Sequence, residues 1–253
     1  MAEKLQPYLK PTVWAGEKLG KGIGEAYLLS SEEKDVPLIK YIDAAGALSV
    51  QVHPKGDRGK DEMWIIDDVY KDAEVYIGFR RSVSENELRD SLKSDKIFSL
   101  MQRVSVSPGD IFWIPGGTIH AAKGISFFEI QHNRDITYRL YDYGRGRILH
   151  WTEGLCTLDR VPWGLKRSRL FSSSLADFLK QTPFSFSPLT LHGVYCQRVQ
   201  HDLAVVVIKG QGRLNEMTFQ KGDCFRARKG EFLSFFGEST LLLCDMVIPL
   251  ENM

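Results

Sequence analysis

Gln51 and His53 are two residues apart, a spacing at which their side chains could act together. In an extended strand both would point to one face, while Val50 and Val52 would point into a core. Pro54 would end the strand, because proline cannot donate to a ladder. An amide oxygen beside an imidazole makes half of a first-row metal site. The alternative is the polar, solvent-facing side of an edge strand.

Glu62 and His120 are two further candidate ligands. Glu62 opens an apolar strand after the turn-rich segment Lys55–Gly59, so the chain could turn back and bring it across from His53. His120 follows the phrase Gly109–Gly117, in which two turns flank a short strand and glycines allow close backbone approach. The alternatives are a charged strand end for Glu62 and a hydrogen-bonded core histidine for His120.

These four residues form a chemically mixed ligand set. Gln51, His53, Glu62 and His120 offer one amide oxygen, two imidazoles and one carboxylate. The set suits zinc and, less selectively, iron, manganese, cobalt or nickel. It leaves room for a water or substrate oxygen, which is typical of a catalytic site.

A polar segment, Glu129–Tyr143, directly follows an apolar strand and predicts a lip that faces substrate. Arg134, Arg139, Arg145 and Arg147 could give bidentate contacts to a phosphate or an oxyanion, or could form a solvated face. The sequence has no P-loop, GxGxxG, GxSxG or HExxH motif.

Short strands are the elements that would position these side chains. Apolar runs rich in β-branched and aromatic residues and bounded by Gly, Pro, Asp or Lys predict ten of them. The runs are Glu25–Ser30, Leu38–Ala44, Leu48–His53, Met63–Asp67, Ala73–Phe79, Asp110–Ile114, Ile125–Gln131, Leu203–Ile208, Asp223–Ala227 and Ser239–Val247. Their spacing predicts a sandwich or barrel.

Few helices are expected. The phrase Ser84-Glu-Asn-Glu87 predicts a capping box at the start of a helix, and leucines follow at helical spacing. Weaker patterns predict helices over Thr152–Leu158 and Ser173–Lys180, the second capped by Ser174.

An internal repeat indicates two similar β units. A Gly-Asp turn, a strand, a tight turn and another strand occur within 107–130 and again within 220–247, but only the first copy carries a histidine. We therefore expect a catalytic domain over 1–160 that carries the metal site, a connector with a short helix over 161–188, and a degenerate unit over 189–253.

Composition narrows the class of protein. The chain is 43% hydrophobic and 26% charged, with a net charge of +1, so it can bury a core and lacks the basic field of nucleic-acid or membrane-surface binders. No apolar run approaches the ~18 residues of a membrane span, and the N-terminus lacks a signal-peptide pattern. The widely spaced Cys156, Cys196, Cys224 and Cys244 predict reduced, mostly buried thiols in a cytoplasmic protein.

In this order, the phrases resemble the type I mannose-6-phosphate isomerase family (phosphomannose isomerases), in its shorter bacterial form. The matching segments are Pro11–Leu19, Gly24–Tyr27, Pro37–Ala45, Leu48–Pro54, Gly59–Trp64, Val106–Ala121 and Phe128–Tyr143. The phrase Pro115–His120 also fits the second motif of the cupin superfamily. The resemblance implies a mainly β cupin jelly-roll barrel with a few helices and a second, degenerate cupin-like unit.

The resemblance also implies a single zinc ion per chain, held by the four residues named above. It places an active-site arginine on Arg139, a substrate-near lysine on Lys60 and an acidic position on Asp135. We take Arg139 and Lys60 as catalytic, and Asp135 and Tyr138 as substrate-binding.

The implied reaction interconverts mannose 6-phosphate and fructose 6-phosphate through a cis-enediol(ate). The metal would polarise the sugar oxygen, and Arg139 would stabilise the enediolate or hold the sugar chain. A hydroxide on the metal, Lys60 and a nearby histidine are all open as the group that moves the carbon-bound proton.

Three departures from the family pattern keep other functions open: a compact segment between His53 and Glu62, a histidine at position 132 and an unfamiliar stretch over 160–200. One alternative is a non-catalytic cupin that binds metal and sugar. Another is a different cupin enzyme, such as an epimerase or a dioxygenase, although the amide ligand Gln51 argues against a dioxygenase. The expected partner is a small sugar phosphate, and the sequence gives no oligomeric state.

Overall fold

The computed structural model describes residues 2–56, 59–164 and 166–248, and this part of the chain is mainly β, as predicted. The strands are β1 (Glu3–Lys4), β2 (Tyr8–Pro11), β3 (Ile23–Leu29), β4 (Leu38–Ala44), β5 (Val50–Val52), β6 (Glu62–Phe79), β7 (Met101–Val104), β8 (Asp110–Ile114), β9 (His120–Gln131), β10 (Tyr138–Tyr141), β11 (Arg167–Arg169), β12 (Phe186–Arg198), β13 (Leu203–Leu214), β14 (Met217–Gln220), β15 (Cys224–Ala227) and β16 (Phe232–Asp245). The helices are α1 (Glu85–Ser91), α2 (Trp151–Thr157) and α3 (Leu175–Leu179), with a 3-10 turn at Asp95–Ser99.

Two antiparallel sheets carry the fold. The first has ten strands along the path β11-β8-β6-β9-β4-β3-β2, with β5, β7 and β10 attached, and the second has six along β1-β15-β13-β16-β12, with β14 on β13. Ile39 and Phe128 of the first sheet share one buried apolar cluster with Val206 and Leu242 of the second. The sheets therefore pack against each other across a common core.

The predicted repeat is visible in both sheets. β6 pairs with β8 and β9, as β13 pairs with β15 and β16. In the first Gly-Asp turn the Ser107 N–H donates to Asp110 Oδ2 at 2.9 Å, and in the second the Gln220 N–H donates to Asp223 Oδ2 at 2.8 Å. The same local chemistry thus builds the same turn twice.

The proposed domain limits stay a prediction, and the strand pairing adds two facts to them. β1 pairs with β15, so the first residues of the chain lie in the second sheet. β11, inside the predicted connector, pairs with β8 of the first sheet.

Several strands were not predicted, namely β1, β2, β7, β10, β11, β12 and β14, and two of the differences have a clear physical reason. β6 is one strand where two were expected, because bulges at 66–68 and 69–74 let the polar middle continue in the ladder with β9. β12 was not predicted, since its histidine, glycine and proline hide the pattern. Pairing with β16 along its whole length, from Phe186–Cys244 to Arg198–Phe232, holds it as an edge strand.

The helices follow the sequence with two corrections. Ser84 Oγ accepts from the Glu87 N–H at 3.3 Å, as the capping box predicts, but the other half of the box is wrong because the Glu87 carboxylate pairs with Arg81 and does not reach back to Ser84. The predicted cap at Ser174 is wrong, because its backbone is already helical (φ −88°, ψ 0°) and its hydroxyl pairs with Ser172 Oγ. Nowhere in the described ranges is a helix long and apolar enough to cross a membrane.

All four cysteines are unpaired, as predicted. Cys224 and Cys244 are buried between the sheets, and burial raises the pKa of the Cys224 thiol to about 12. Cys156 and Cys196 are exposed, so the expectation of mostly buried thiols is wrong for these two.

Candidate metal centre and its cavity

Three of the predicted ligands converge. His53 lies just after β5, Glu62 begins β6 and His120 begins β9, and one ligand atom from each lies within 4.8 Å of the others. The Glu62 carboxylate bridges the two rings, with Oε1 at 2.9 Å from His53 Nε2 and Oε2 at 3.6 Å from His120 Nε2. All three side chains are buried.

Backbone carbonyls orient both imidazoles. His53 Nδ1 lies 2.8 Å from the Ile136 carbonyl oxygen, and His120 Nδ1 lies 2.9 Å from that of Thr118. A proton on each Nδ1 donates to these carbonyls, which leaves both Nε2 lone pairs directed at Glu62. This is the tautomer that a metal ligand needs, so the two rings fit a divalent ion.

Gln51, the fourth predicted ligand, lies beside the other three. It is the ladder partner of His120, and its Nε2 is 3.1 Å from His120 Nε2. Ser49 Oγ donates to Gln51 Oε1 at 3.2 Å. A hydroxyl can donate or accept, and amide oxygen and nitrogen are assigned from the hydrogen-bond network. Turning the amide would therefore present Oε1 to the metal position and keep the bond to Ser49.

The route by which Glu62 reaches His53 differs from the prediction. The turn is present, since the Lys60 N–H donates to the Pro54 carbonyl at 2.9 Å, although positions 57 and 58 of this compact segment lie outside the described residues. However, Glu62 pairs with Gln131 at the far end of β9. Curvature of the sheet, and not a direct ladder between β5 and β6, brings the carboxylate to the histidine.

The glycine turn before His120 packs directly on the segment after β5. The Gly117 N–H donates to the His53 carbonyl at 2.8 Å, and a Cβ added at Gly116 would lie 2.1 Å from the Pro54 carbonyl oxygen. Asp61, which the sequence analysis missed, accepts from the Gly116 N–H at 2.9 Å. The close approach that the glycines were expected to allow is therefore an approach of backbone to backbone.

We expect Gly116→Ala to loosen this turn and destabilise the protein by about 1–3 kcal/mol, because the added methyl meets backbone that cannot rotate away. Metal affinity should fall with it, since His53 and His120 flank the contact. Thermal unfolding and metal titration measure the two effects. Gly164→Ala is the matched control, because a Cβ there meets nothing within 4 Å. Equal melting temperatures for the two variants would contradict this expectation.

The charge states at the centre are set by burial and by neighbouring charges. Burial alone would raise the pKa of Glu62, but His53 and the Lys60 ammonium, 2.8 Å from Oε1, hold it well below its usual range. Burial lowers the pKa of His53 and lowers that of His120 to about 4, against the attraction of Glu62. An ionised carboxylate and two neutral imidazoles are the forms in which these groups bind metals.

A cavity of about 480 Å³ opens beside the centre. Five predicted residues line it: Gln51, Lys60, Glu62, Asp135 and Arg139. Arg147, one of the four candidate arginines, also lines it, as do four charged side chains that were not singled out: Lys10, Glu25, Lys40 and Glu129.

Arg139 stands in one row with two of the candidate ligands. It is the ladder partner of Gln51, which is in turn the ladder partner of His120, so three adjacent strands present these side chains side by side. Its Nη1 donates to the Ile148 carbonyl at 2.9 Å. Burial, followed by repulsion from Arg147, lowers the pKa of the Arg139 guanidinium.

Of the two residues expected to bind substrate, one lines the cavity and the other does not. Asp135 is on the cavity wall. Tyr138 is next to Arg139 on β10, on the opposite face, and its ring packs against the apolar cluster that contains Leu140 and Val52. The cavity-lining residues near it are Thr137 and Arg139.

Three charged side chains that the sequence analysis did not single out form another wall of the cavity. Lys40 Nζ lies 3.6 Å from both Glu25 Oε2 and Glu129 Oε2. Burial, followed by repulsion from Glu62, raises the pKa of Glu129 to about 8. The available signal was a lone lysine within Leu38–Ala44, a strand in which every position is buried.

Three of the four candidate arginines lie in or beside the cavity wall, whereas Arg134 does not line the cavity and accepts from Gln131 Nε2 through its backbone carbonyl. Arg139 and Arg147 line the cavity, whereas Arg145 packs over the Tyr143 ring at 5.0 Å. Arg145 and Arg147 both pair with the buried Asp142. The arrangement gives the cavity a positively charged wall.

Comparison with known proteins finds relatives that are named mannose-6-phosphate isomerases. The chain is 37% identical to mannose-6-phosphate isomerase ManA of Bacillus subtilis (strain 168) over 212 residues, which are 74% of this chain and 67% of the relative. It is 33% identical to the mannose-6-phosphate isomerase of Streptococcus mutans over 226 residues, 77% of this chain and 69% of the relative. No family model matches the chain.

Solved structures share the fold. The mannose 6-phosphate isomerase from Bacillus subtilis superposes with a TM-score of 0.78 at 24% identity, covering 96% of this chain and 99% of that one. A mannose 6-phosphate isomerase bound with zinc and yttrium gives a TM-score of 0.69 at 13% identity, covering 97% of this chain and 99% of that one. The fold is thus that of these enzymes, as the cupin prediction required.

Proposed function

The chain belongs to the mannose-6-phosphate isomerase family, and from this premise we propose that it interconverts mannose 6-phosphate and fructose 6-phosphate with one zinc ion per chain. The observation that carries the proposal is the convergence of His53, Glu62 and His120 at a cavity whose wall presents Arg139. The proposal includes a cytoplasmic location, which the four unpaired cysteines support.

Gln51, His53, Glu62 and His120 would hold the zinc. Two neutral imidazoles, a carboxylate and a neutral amide leave one positive charge and room for a substrate oxygen. Bound zinc supplies a Lewis acid that polarises the sugar carbonyl or hydroxyl. The fixed Nε2 lone pairs of the two rings support this assignment.

The cavity wall supplies positive charge for the rest of the substrate. Arg139, beside Gln51, would stabilise the negative charge that develops on the enediolate oxygens. Arg147 also lines the cavity and would receive the phosphoryl group, because a guanidinium matches phosphate geometry. Asp135 would accept a hydrogen bond from a sugar hydroxyl, while Tyr138 contributes packing beneath β10.

The reaction moves one proton from C2 of mannose 6-phosphate to C1, while the hydroxyl proton at O2 is lost and one is gained at O1. Two buried side chains of the cavity would take part in the proton transfer. The Glu129 carboxylate in its ionised form would take the proton from C2 and return it to C1, and a pKa of about 8 makes it a stronger base than an ordinary carboxylate. The Lys60 ammonium, which contacts Glu62, would donate to the sugar oxygens. Such transfer contributes about 10²–10⁴-fold to the rate.

We expect a chelator to remove more than about 99% of the isomerase activity and added zinc to restore it, because the four ligands alone offer no positive charge to polarise the sugar oxygen. A coupled assay with mannose 6-phosphate, run beside elemental analysis, measures turnover and metal together. Zinc binding without turnover would support a non-catalytic cupin instead. Full turnover in metal-free protein would refute the zinc assignment.

A further inference from the structure

A buried carboxylate stands behind the positively charged wall. Asp142 directly follows β10, and its side chain is 3% exposed. Its Oδ2 accepts from Arg147 Nε at 2.8 Å, and its Oδ1 accepts from Arg147 Nη2 and, at 2.6 Å, from Arg145 Nη2. The Arg147 pair is side-on and bidentate, which fixes the plane of the guanidinium as well as its position.

Arg145 anchors this carboxylate from the side away from the cavity. Its Nη1 donates to the Ala47 carbonyl at 2.8 Å, its Nε donates to the Asp142 carbonyl at 3.1 Å, and its guanidinium lies over the Tyr143 ring. All three nitrogens of Arg145 are thereby engaged within the protein. Arg145 does not line the cavity, so it holds Asp142 in place and does not reach a ligand there.

Arg147 is engaged on one edge only. The pair with Asp142 uses Nε and Nη2, and Nη1 has no hydrogen-bond partner among the residues that the structure describes. Arg139, Arg145 and Arg147 face the single carboxylate of Asp142, so the wall keeps an excess of positive charge. The cavity as a whole is lined by five cationic side chains and four carboxylic acids, so the positive excess is local to this wall. A guanidinium edge fixed there suits a dianion.

We propose that Asp142 is a positioning residue that holds Arg147 with its free edge toward the phosphoryl group of the substrate. The inference rests on the proposed function, because that function supplies the phosphorylated ligand. Holding the long arginine side chain before the ligand arrives removes the cost of ordering it on binding. Asp142 itself does not touch the ligand; its effect passes through Arg147.

Asp142→Asn tests this, because the amide keeps one acceptor but loses the charge and the bidentate pair. We expect the Kd of inorganic phosphate and the KM of fructose 6-phosphate to rise about tenfold, with kcat within about twofold. Arg147→Ala should lose more affinity, and the double variant should be no worse than Arg147→Ala alone. If the losses of phosphate affinity in the two single variants multiplied in the double variant, the proposal would be overturned. Unchanged phosphate affinity in Arg147→Ala would also overturn it.

Asp110→Asn is the matched control, because Asp110 is equally buried, lies near Arg167 and Arg169, and does not line the cavity. It should lower the melting temperature and leave phosphate affinity unchanged. Arg147→Lys keeps the positive charge but cannot form the bidentate pair, so its phosphate affinity should equal that of Asp142→Asn. If Asp142→Asn does not fold, Arg147→Lys still tests the proposal. Phosphate binding requires no turnover, so inactive wild-type protein would refute the function without deciding the role of Asp142.

Discussion

Replacing Glu62 with alanine is expected to abolish zinc binding and to lower kcat/KM by more than about a thousandfold. Glu62 is the one anionic ligand of the proposed set and the group that contacts both imidazoles. Its loss also leaves the buried Lys60 ammonium without the carboxylate 2.8 Å away. That uncompensated cation would repel a divalent ion from the same place.

Elemental analysis and the coupled assay measure this loss, and thermal unfolding shows whether the variant folds. Glu129→Gln is the control for metal content, since Glu129 is a buried carboxyl of the same cavity outside the proposed ligand set. It should keep one zinc per chain. Stoichiometric zinc in Glu62→Ala would remove Glu62 from the metal centre.

Arg139→Ala should lower kcat by about 10²–10³-fold while zinc remains bound. The side chain lies beside Gln51 on the cavity wall, next to the proposed metal ligands, where the proposed reaction would develop negative charge. An interaction made mainly in the transition state affects kcat, whereas a contact to the phosphoryl group affects KM. The Arg139 and Arg147 variants should therefore differ in which constant changes.

Arg139→Lys keeps the positive charge and is the conservative comparison, expected to recover part of the lost rate. Zinc content must be measured in both variants, because loss of metal would mimic loss of the arginine. A kcat near that of the wild type in zinc-loaded Arg139→Ala would show that the guanidinium has no part in the chemistry.

The parts of the site that depend on short-range geometry were accessible from the sequence. The two-residue spacing of Gln51 and His53 placed them on one face, and Val50 and Val52 are buried on the other, as expected. The glycine turn before His120 and the strand start at Glu62 were also visible. Each depends on backbone rules that act within a few residues.

The remaining features depend on contacts between distant segments. Glu62 pairs with the far end of β9, so its approach to His53 follows from sheet curvature, which no local pattern encodes. Lys40 and Glu129 are hidden in apolar strands and become a charged wall only when β4 and β9 pair. β12 needed β16 beside it before its polar sequence could be recognised as a strand.

Through the core that the two sheets share, the histidine-free copy of the repeat supports the strand that carries Glu62. Met63 and Ile65 alternate along β6 with Glu62 and Trp64, and they pack in one cluster with Leu242 from the second sheet. Glu62 is the residue directly before Met63, so a single peptide bond joins its backbone to that cluster. The second sheet thus supports the strand that carries Glu62, and we expect substitutions that loosen its half of the core to weaken metal binding before they unfold the protein.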